Sequence, residues 1–157
     1  MKPLRKRPCH QTIKSEGNRS TIVFCTVCTK GRKPILANSE AHQLLIEAWQ
    51  SANEWLVGRY TILPDHIHLF AAPATYPAGA IRRWAKYWKS TVSRKWPHPA
   101  QQPIWQKDIW DRQLRSGQSY HGKWIYVREN CVRHGLASTS DSWPFQGELN
   151  VLPWHDR

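Results

Sequence analysis

The sequence predicts an α+β fold of the split β-α-β, ferredoxin-like kind: an antiparallel sheet with helices on one face, plus a C-terminal helix. Three observations carry this. Strand-like apolar stretches at 21–28, 55–63 and 66–72 alternate with two helix-periodic stretches in the order that fold requires. Pro64-Asp65 separates the second and third strands by no more than a hairpin turn. With 157 residues, the chain suits a single domain with one core.

Taken in order, residues 1–20 form a basic arm (Lys2, Arg5, Lys6, Arg7, Lys14 and Arg19), and the β-branched run 21–28 makes the first strand. KGRKP is a loop, and Asn38 or Ser39 is placed to cap a helix. There Ala41, Leu44, Leu45, Ala48 and Trp49 recur at helical spacing. Strands over 55–63 and HIHLFAA follow. A second helix fills about 78–96, with Ile81, Trp84, Ala85, Trp88 and Val92 on one side and Arg82, Arg83, Lys86, Lys89, Arg94 and Lys95 elsewhere. After a Pro-rich break, PIWQKDI reads as a short strand. A last helix runs from about 117 to Gly135, a left-handed C-cap. The expected organisation is an arm (1–20), a main domain (21–137) and a tail (138–157) too rich in Pro and Trp for regular structure, lying over the surface.

The formal net charge of +12 calls for a polyanionic partner, nucleic acid before membrane. No apolar run is long enough to cross a bilayer and the N-terminus lacks a signal-peptide core, so the expected location is cytoplasmic and nucleoid-associated, with reduced thiols. Cys25 and Cys28 form a CxxC without a matching second pair. Three apart on a strand they face opposite sides, so they read as small buried thiols.

In DHIHLF (65–70), His66 and His68 point one way and Ile67 and Leu69 the other. The helix-covered face must take the apolar set, which leaves the histidines on the open face. Alone, such a pair fits a solvated strand as well as a divalent-metal site. In the last helix, Tyr120, Trp124, Val127 and Cys131 make the core stripe. Tyr126 falls outside it and shares the opposite face with Asn130, Lys123 and Arg133, among two cations and an amide.

LPDHIHLF (63–70), IWQKDIWDRQLRS (104–116) and YVRENCVRHGLA (126–137), with RKRP near the start and GRKPIL after the first strand, together resemble single-tyrosine HUH endonucleases of the IS200/IS605 type. The pattern is most similar to the REP-associated tyrosine transposase branch. Asp65 stands where that pattern has Asn, and Cys131 where it has Pro; the tail beyond 137 does not align.

The resemblance implies a metal-dependent nickase and strand transferase acting on hairpin-forming, REP-like DNA. His66, His68 and the Asn130 carbonyl would hold Mg²⁺ or Mn²⁺. Tyr126 would be the nucleophile, leaving a covalent 5′-phosphotyrosine and a free 3′-OH. Lys123 and Arg133 are the cations nearest the phenol by helical geometry. Arg5, Lys6 and Arg7 of the arm and Arg82, Arg83, Lys86 and Lys89 of the second helix are the expected phosphate contacts, joined by Lys123 and Arg133, with an exposed tryptophan stacking an unpaired base. The alternative is a non-catalytic binder of structured DNA or RNA on the same fold. A relaxase or replication initiator is disfavoured by the small size and the downstream tyrosine. Membrane-surface binding is compatible with the charge, but no segment offers a long amphipathic apolar face. Either a monomer, with Tyr126 meeting the histidines in cis, or a homodimer with a composite site is compatible with the sequence.

Overall fold

A computed structural model describes residues 21–115 and 119–153 of the chain. Four strands and two helices follow one another as expected: β1 (Val23–Cys28), α1 (Ser39–Ser51), β2 (Trp55–Ile62), β3 (His66–Pro73), α2 (Ile81–Lys95) and β4 (Trp110–Gln113). Among the described residues these are followed by α3 (Tyr120–Arg128), α4 (Asn130–Arg133) and β5 (Gln146–Glu148). The sheet runs β4-β1-β3-β2-β5, and every pairing is antiparallel. Among the described residues no helix is long and apolar enough to cross a membrane. The basic arm, 1–20, lies outside the described residues.

Alternation along the strands divides the interior in two. Val23, Cys25 and Val27 of β1 and Ile67, Leu69 and Ala71 of β3 face α1 and α2, whose Leu45, Trp49, Trp84 and Trp88 complete the main core. The Asn38 side-chain Oδ1 caps α1, accepting from the Ala41 N–H at 2.8 Å. On the other face, Ile22, Phe70 and Ala72 pack with Leu114, Tyr120, Trp124 and Val127, so α3 folds back on the sheet of its own chain. Gly58 permits this approach: a Cβ there would sit 2.6 Å from Leu152 Cδ1 and 2.7 Å from Tyr120 Oη.

The structure corrects the sequence reading at three places. The strand expected at PIWQKDI begins later, at Trp110. Residues 104–106 instead wrap the end of the sheet, with Ile104, Trp105 and Ile109 turned into the helix-side core and one isolated bridge joining Trp105 to Thr29. The single last helix is broken at Glu129 into α3 and α4, although Gly135 does take the left-handed conformation, φ 69°. The tail is not irregular cover. It supplies β5 on β2, and buried Trp143 packs with Leu63 and Cys131 to hold α4. Cys131 thus fills an apolar niche at the position where the resembled pattern has Pro.

Candidate active site

The cross-strand register assembles the histidine site. Thr26 pairs with His68 and Cys28 with His66. The His68 Nδ1 and the Thr26 hydroxyl lie 2.9 Å apart, and His66 Nδ1 is 2.7 Å from Asp65 Oδ1. Each Nδ1 is therefore occupied, and an anionic acceptor on His66 fixes its proton there, leaving Nε2 as the lone-pair nitrogen. The rings stand edge to face, 4.8 Å between centroids. Phe24 stacks on His68 at 5.4 Å.

The face expected to be open is partly closed: His66 is only 7% exposed and His68 half-buried, with α3 packed on the same side of the sheet through Phe70. Burial, followed by the nearby charges of His66, His134, Lys123 and Arg32, pushes His68 down to about 3. Burial also pushes His66 down, partly countered by the Asp65 hydrogen bond. Both imidazoles are neutral at physiological pH, the state a metal requires of them. Burial opposes ionisation of Asp65, but hydrogen bonds from His66 and Arg32 outweigh it and hold the carboxyl below its usual range.

Arg32 is the residue that sequence reasoning missed. It takes φ 54°, a left-handed conformation costly for a long side chain. Its guanidinium explains how that conformation is held: Nε donates to Asp65 Oδ2 at 3.0 Å, Nη1 to Cys28 Sγ at 3.4 Å, and Nη2 lies 3.4 Å from His66 Nδ1. GRKPIL was the only signal for it. Cys28 therefore lies on the histidine face while Cys25 sits in the main core. His134, assigned no role from sequence, stands edge-on to His66 at 6.2 Å.

Tyr126 is 63% exposed on α3. Lys123 links it to the histidines, its Nζ lying 5.2 Å from the Phe24 ring and 5.8 Å from the Tyr126 ring. Arg133 covers Tyr126 at 4.4 Å and donates to the Tyr126 carbonyl at the helix break, 2.7 Å away. The same Nη2 donates to Asn130 Oδ1 at 2.6 Å, so the expected third ligand oxygen already has a partner.

His66, His68, Lys123, Tyr126, Asn130 and Arg133 thus share one face of one chain. Arg82, Arg83, Lys86 and Lys89 lie on α2, across the sheet. Arg82 pairs with Asp108 at 3.3 Å and Arg83 with Glu54 at 2.5 Å, while Lys89 is buried with Nζ on the Gln106 carbonyl. Arg5, Lys6 and Arg7 fall outside the described residues. The tryptophan expected to stack a base is absent among the described residues: eight of them are buried and Trp110 is half-buried, whereas the exposed aromatics are Tyr76, Tyr87 and Tyr126.

No protein-family profile matches the chain. A Haemophilus influenzae protein named "Putative REP-associated tyrosine transposase" is 30% identical over 96 residues, 54% of this chain and 53% of its own length. An Escherichia coli REP-associated tyrosine transposase is 26% identical over 126 residues, 78% of this chain and 73% of its own. Over these aligned stretches the chain is similar to REP-associated tyrosine transposases. It spans about half the length of the first relative. The solved structure of a REP-associated tyrosine transposase bound to a REP hairpin shares the fold, with TM-score 0.69 and 19% identity over 87% of this chain and 82% of that one.

Proposed function

We propose that the chain cuts and rejoins single-stranded DNA beside a REP-like hairpin, with Tyr126 as nucleophile and His66 and His68 as metal ligands. The observation that carries the reading is the meeting, on one sheet face of one chain, of two neutral imidazoles with an accessible phenol flanked by two cations. The relatives' names and the hairpin in the similar structure support DNA as the partner.

The donor set fits Mg²⁺ or Mn²⁺: with their Nδ1 atoms engaged, His66 and His68 would hold the ion through Nε2, and Asn130 would add its side-chain oxygen if released from Arg133. When bound, the ion polarises a non-bridging oxygen of the scissile phosphate. Tyr126 Oη gives up its proton to solvent and forms the new P–O bond as the bond to the 3′-oxygen breaks. That oxygen takes up a proton, and the 5′-phosphate remains on the tyrosine. Lys123 and Arg133 stabilise the negative charge on phenolate and phosphate. Because the phosphodiester energy is kept in the tyrosine link, another 3′-OH can reverse the step.

The test is a denaturing gel of end-labelled hairpins with single-stranded flanks, with Mg²⁺, Mn²⁺ or EDTA. A metal-dependent protein–DNA adduct is expected, absent in Tyr126→Phe and reduced at least about 10²-fold in His66→Ala, the scale of losing an electrostatic catalyst. Tight binding without an adduct under any metal would make the chain a hairpin binder that keeps the site's appearance without its chemistry.

A further inference from the structure

A second basic feature lies away from the histidines. Lys86, Lys89, Ser90, Ser93 and Arg94 recur at i, i+3, i+4, i+7 and i+8 on α2, and with Trp105, Gln106 and Lys107 they line a groove of about 390 Å³. Four cations, two hydroxyls and an amide line it, with no carboxylate. The cations differ from their helix neighbours. Arg82 and Arg83 are consumed by ion pairs, while Lys86 and Lys107 have none among the described residues. Lys89 is only 7% exposed, and its Nζ donates to the Gln106 carbonyl at 2.8 Å. Asp108 lends it some charge compensation, yet burial still pushes the ammonium below its usual range. A buried cation held on a neutral carbonyl lacks the counter-charge that an anion in the groove would bring. Tyr87, 56% exposed, shares by helical spacing the side of α2 that carries Ser90 and Arg94, so its ring is available next to the groove.

The groove also connects to the site. Gln106 N–H donates to the Cys28 carbonyl at 3.0 Å, and Cys28 pairs across the sheet with His66. Arg32 reaches from Cys28 to His66 along the same sheet end. Arg32 and Lys89 both lie close enough to the Cys28 thiol to act on it, so these two cations connect the histidine end of the sheet to the groove.

We propose that this groove holds the phosphates of the single strand that runs away from the scissile position, rather than those of the hairpin stem. The proposal rests on the DNA-cutting reading above. It assigns the strand's path, with Lys86, Lys89, Arg94 and Lys107 on phosphates and Tyr87 against a base.

Fluorescence anisotropy in EDTA tests it, using a labelled blunt hairpin and the same hairpin extended by a single strand on its 5′ or its 3′ side. Lys86→Ala/Lys107→Ala removes two exposed groove cations; Lys30→Ala/Lys95→Ala removes two exposed cations outside it. The groove variant is expected to bind one extended hairpin about tenfold more weakly. Its log–log salt slope for that probe should shrink by about 1.4, two contacts at about 0.7 each. Binding of the blunt hairpin should stay within about twofold. Equal losses on blunt and extended probes would move the contacts to the stem and overturn the proposal, as would losses no larger than the control's. If the wild type binds none of the probes, the DNA-cutting reading falls as well. A wild type that binds and a groove variant that matches it would sink the groove alone.

Discussion

The two faces of β3 are built from alternate residues of one strand, yet they do different work. Ile67, Leu69 and Ala71 disappear under α1 and α2 into a continuous core rich in tryptophan. His66, His68 and Phe70 face α3, where only the lower part is apolar: Phe70 meets Tyr120 at 5.0 Å and Trp124 at 6.4 Å. The upper part is polar, closed by Asp65, Arg32, Lys123 and Arg133. One face stabilises the fold, and the other uses a small apolar cluster to hold a helix against a polar site. The comparison teaches that α3 is tied to the sheet along its length by Tyr120, Trp124 and Val127, leaving Tyr126 exposed outside that stripe.

The largest expected effects break the comparison directly. Leu69→Ala and Phe70→Ala should each cost about 2–5 kcal/mol in denaturant melts, since both side chains are fully buried. They should differ in function. Leu69→Ala keeps adduct formation per folded molecule, and Phe70→Ala loses it because α3 shifts. Matching losses of activity would show that the faces are not separable.

Acid comes next. In the unfolded chain the His68 imidazole protonates near 6.5, in the fold only near about 3. Between those values the unfolded state binds more protons, so the metal-free protein loses stability as pH falls through the window, by up to about 1.4 kcal/mol per unit. His68→Gln should flatten that part of a melt-versus-pH curve; an unchanged curve would mean that His68 is not held neutral.

The smallest of these effects sharpens the polar half. Asp65 fixes the His66 tautomer through a 2.7 Å contact, where the resembled pattern carries Asn. Asp65→Asn should weaken Mn²⁺ binding, read by electron paramagnetic resonance, by about tenfold, the lower end for outer-shell partners. Unaltered affinity would reduce Asp65 to an anchor for Arg32.

Much of this was legible in the chain because strand and helix periods are strong signals: the order of elements, the shared face of His66 and His68, and the exposure of Tyr126 outside the α3 stripe. What was not legible depended on tertiary contact. The tail was expected to be irregular, because Pro144 and Trp143 hide a three-residue strand that exists only through pairing with β2. Burial of the histidines required knowing that α3 returns to its own sheet. Arg32 lies 33 residues from Asp65 in sequence, and no local pattern announces their 3.0 Å pair. The basic face of α2 was visible, but its division into ion-paired Arg82 and Arg83 and a carboxylate-free groove was not.

The central claim is that one chain holds both halves of the site, and a mixing experiment tests it most directly. Tyr126→Phe and His66→Ala proteins, each inactive, are combined on labelled hairpin DNA with Mn²⁺, beside the wild type. The account predicts an adduct with the wild type alone and none with the mixture, since every site in the mixture lacks one essential group. An adduct restored by mixing would contradict it, placing the tyrosine of one chain against the histidines of another.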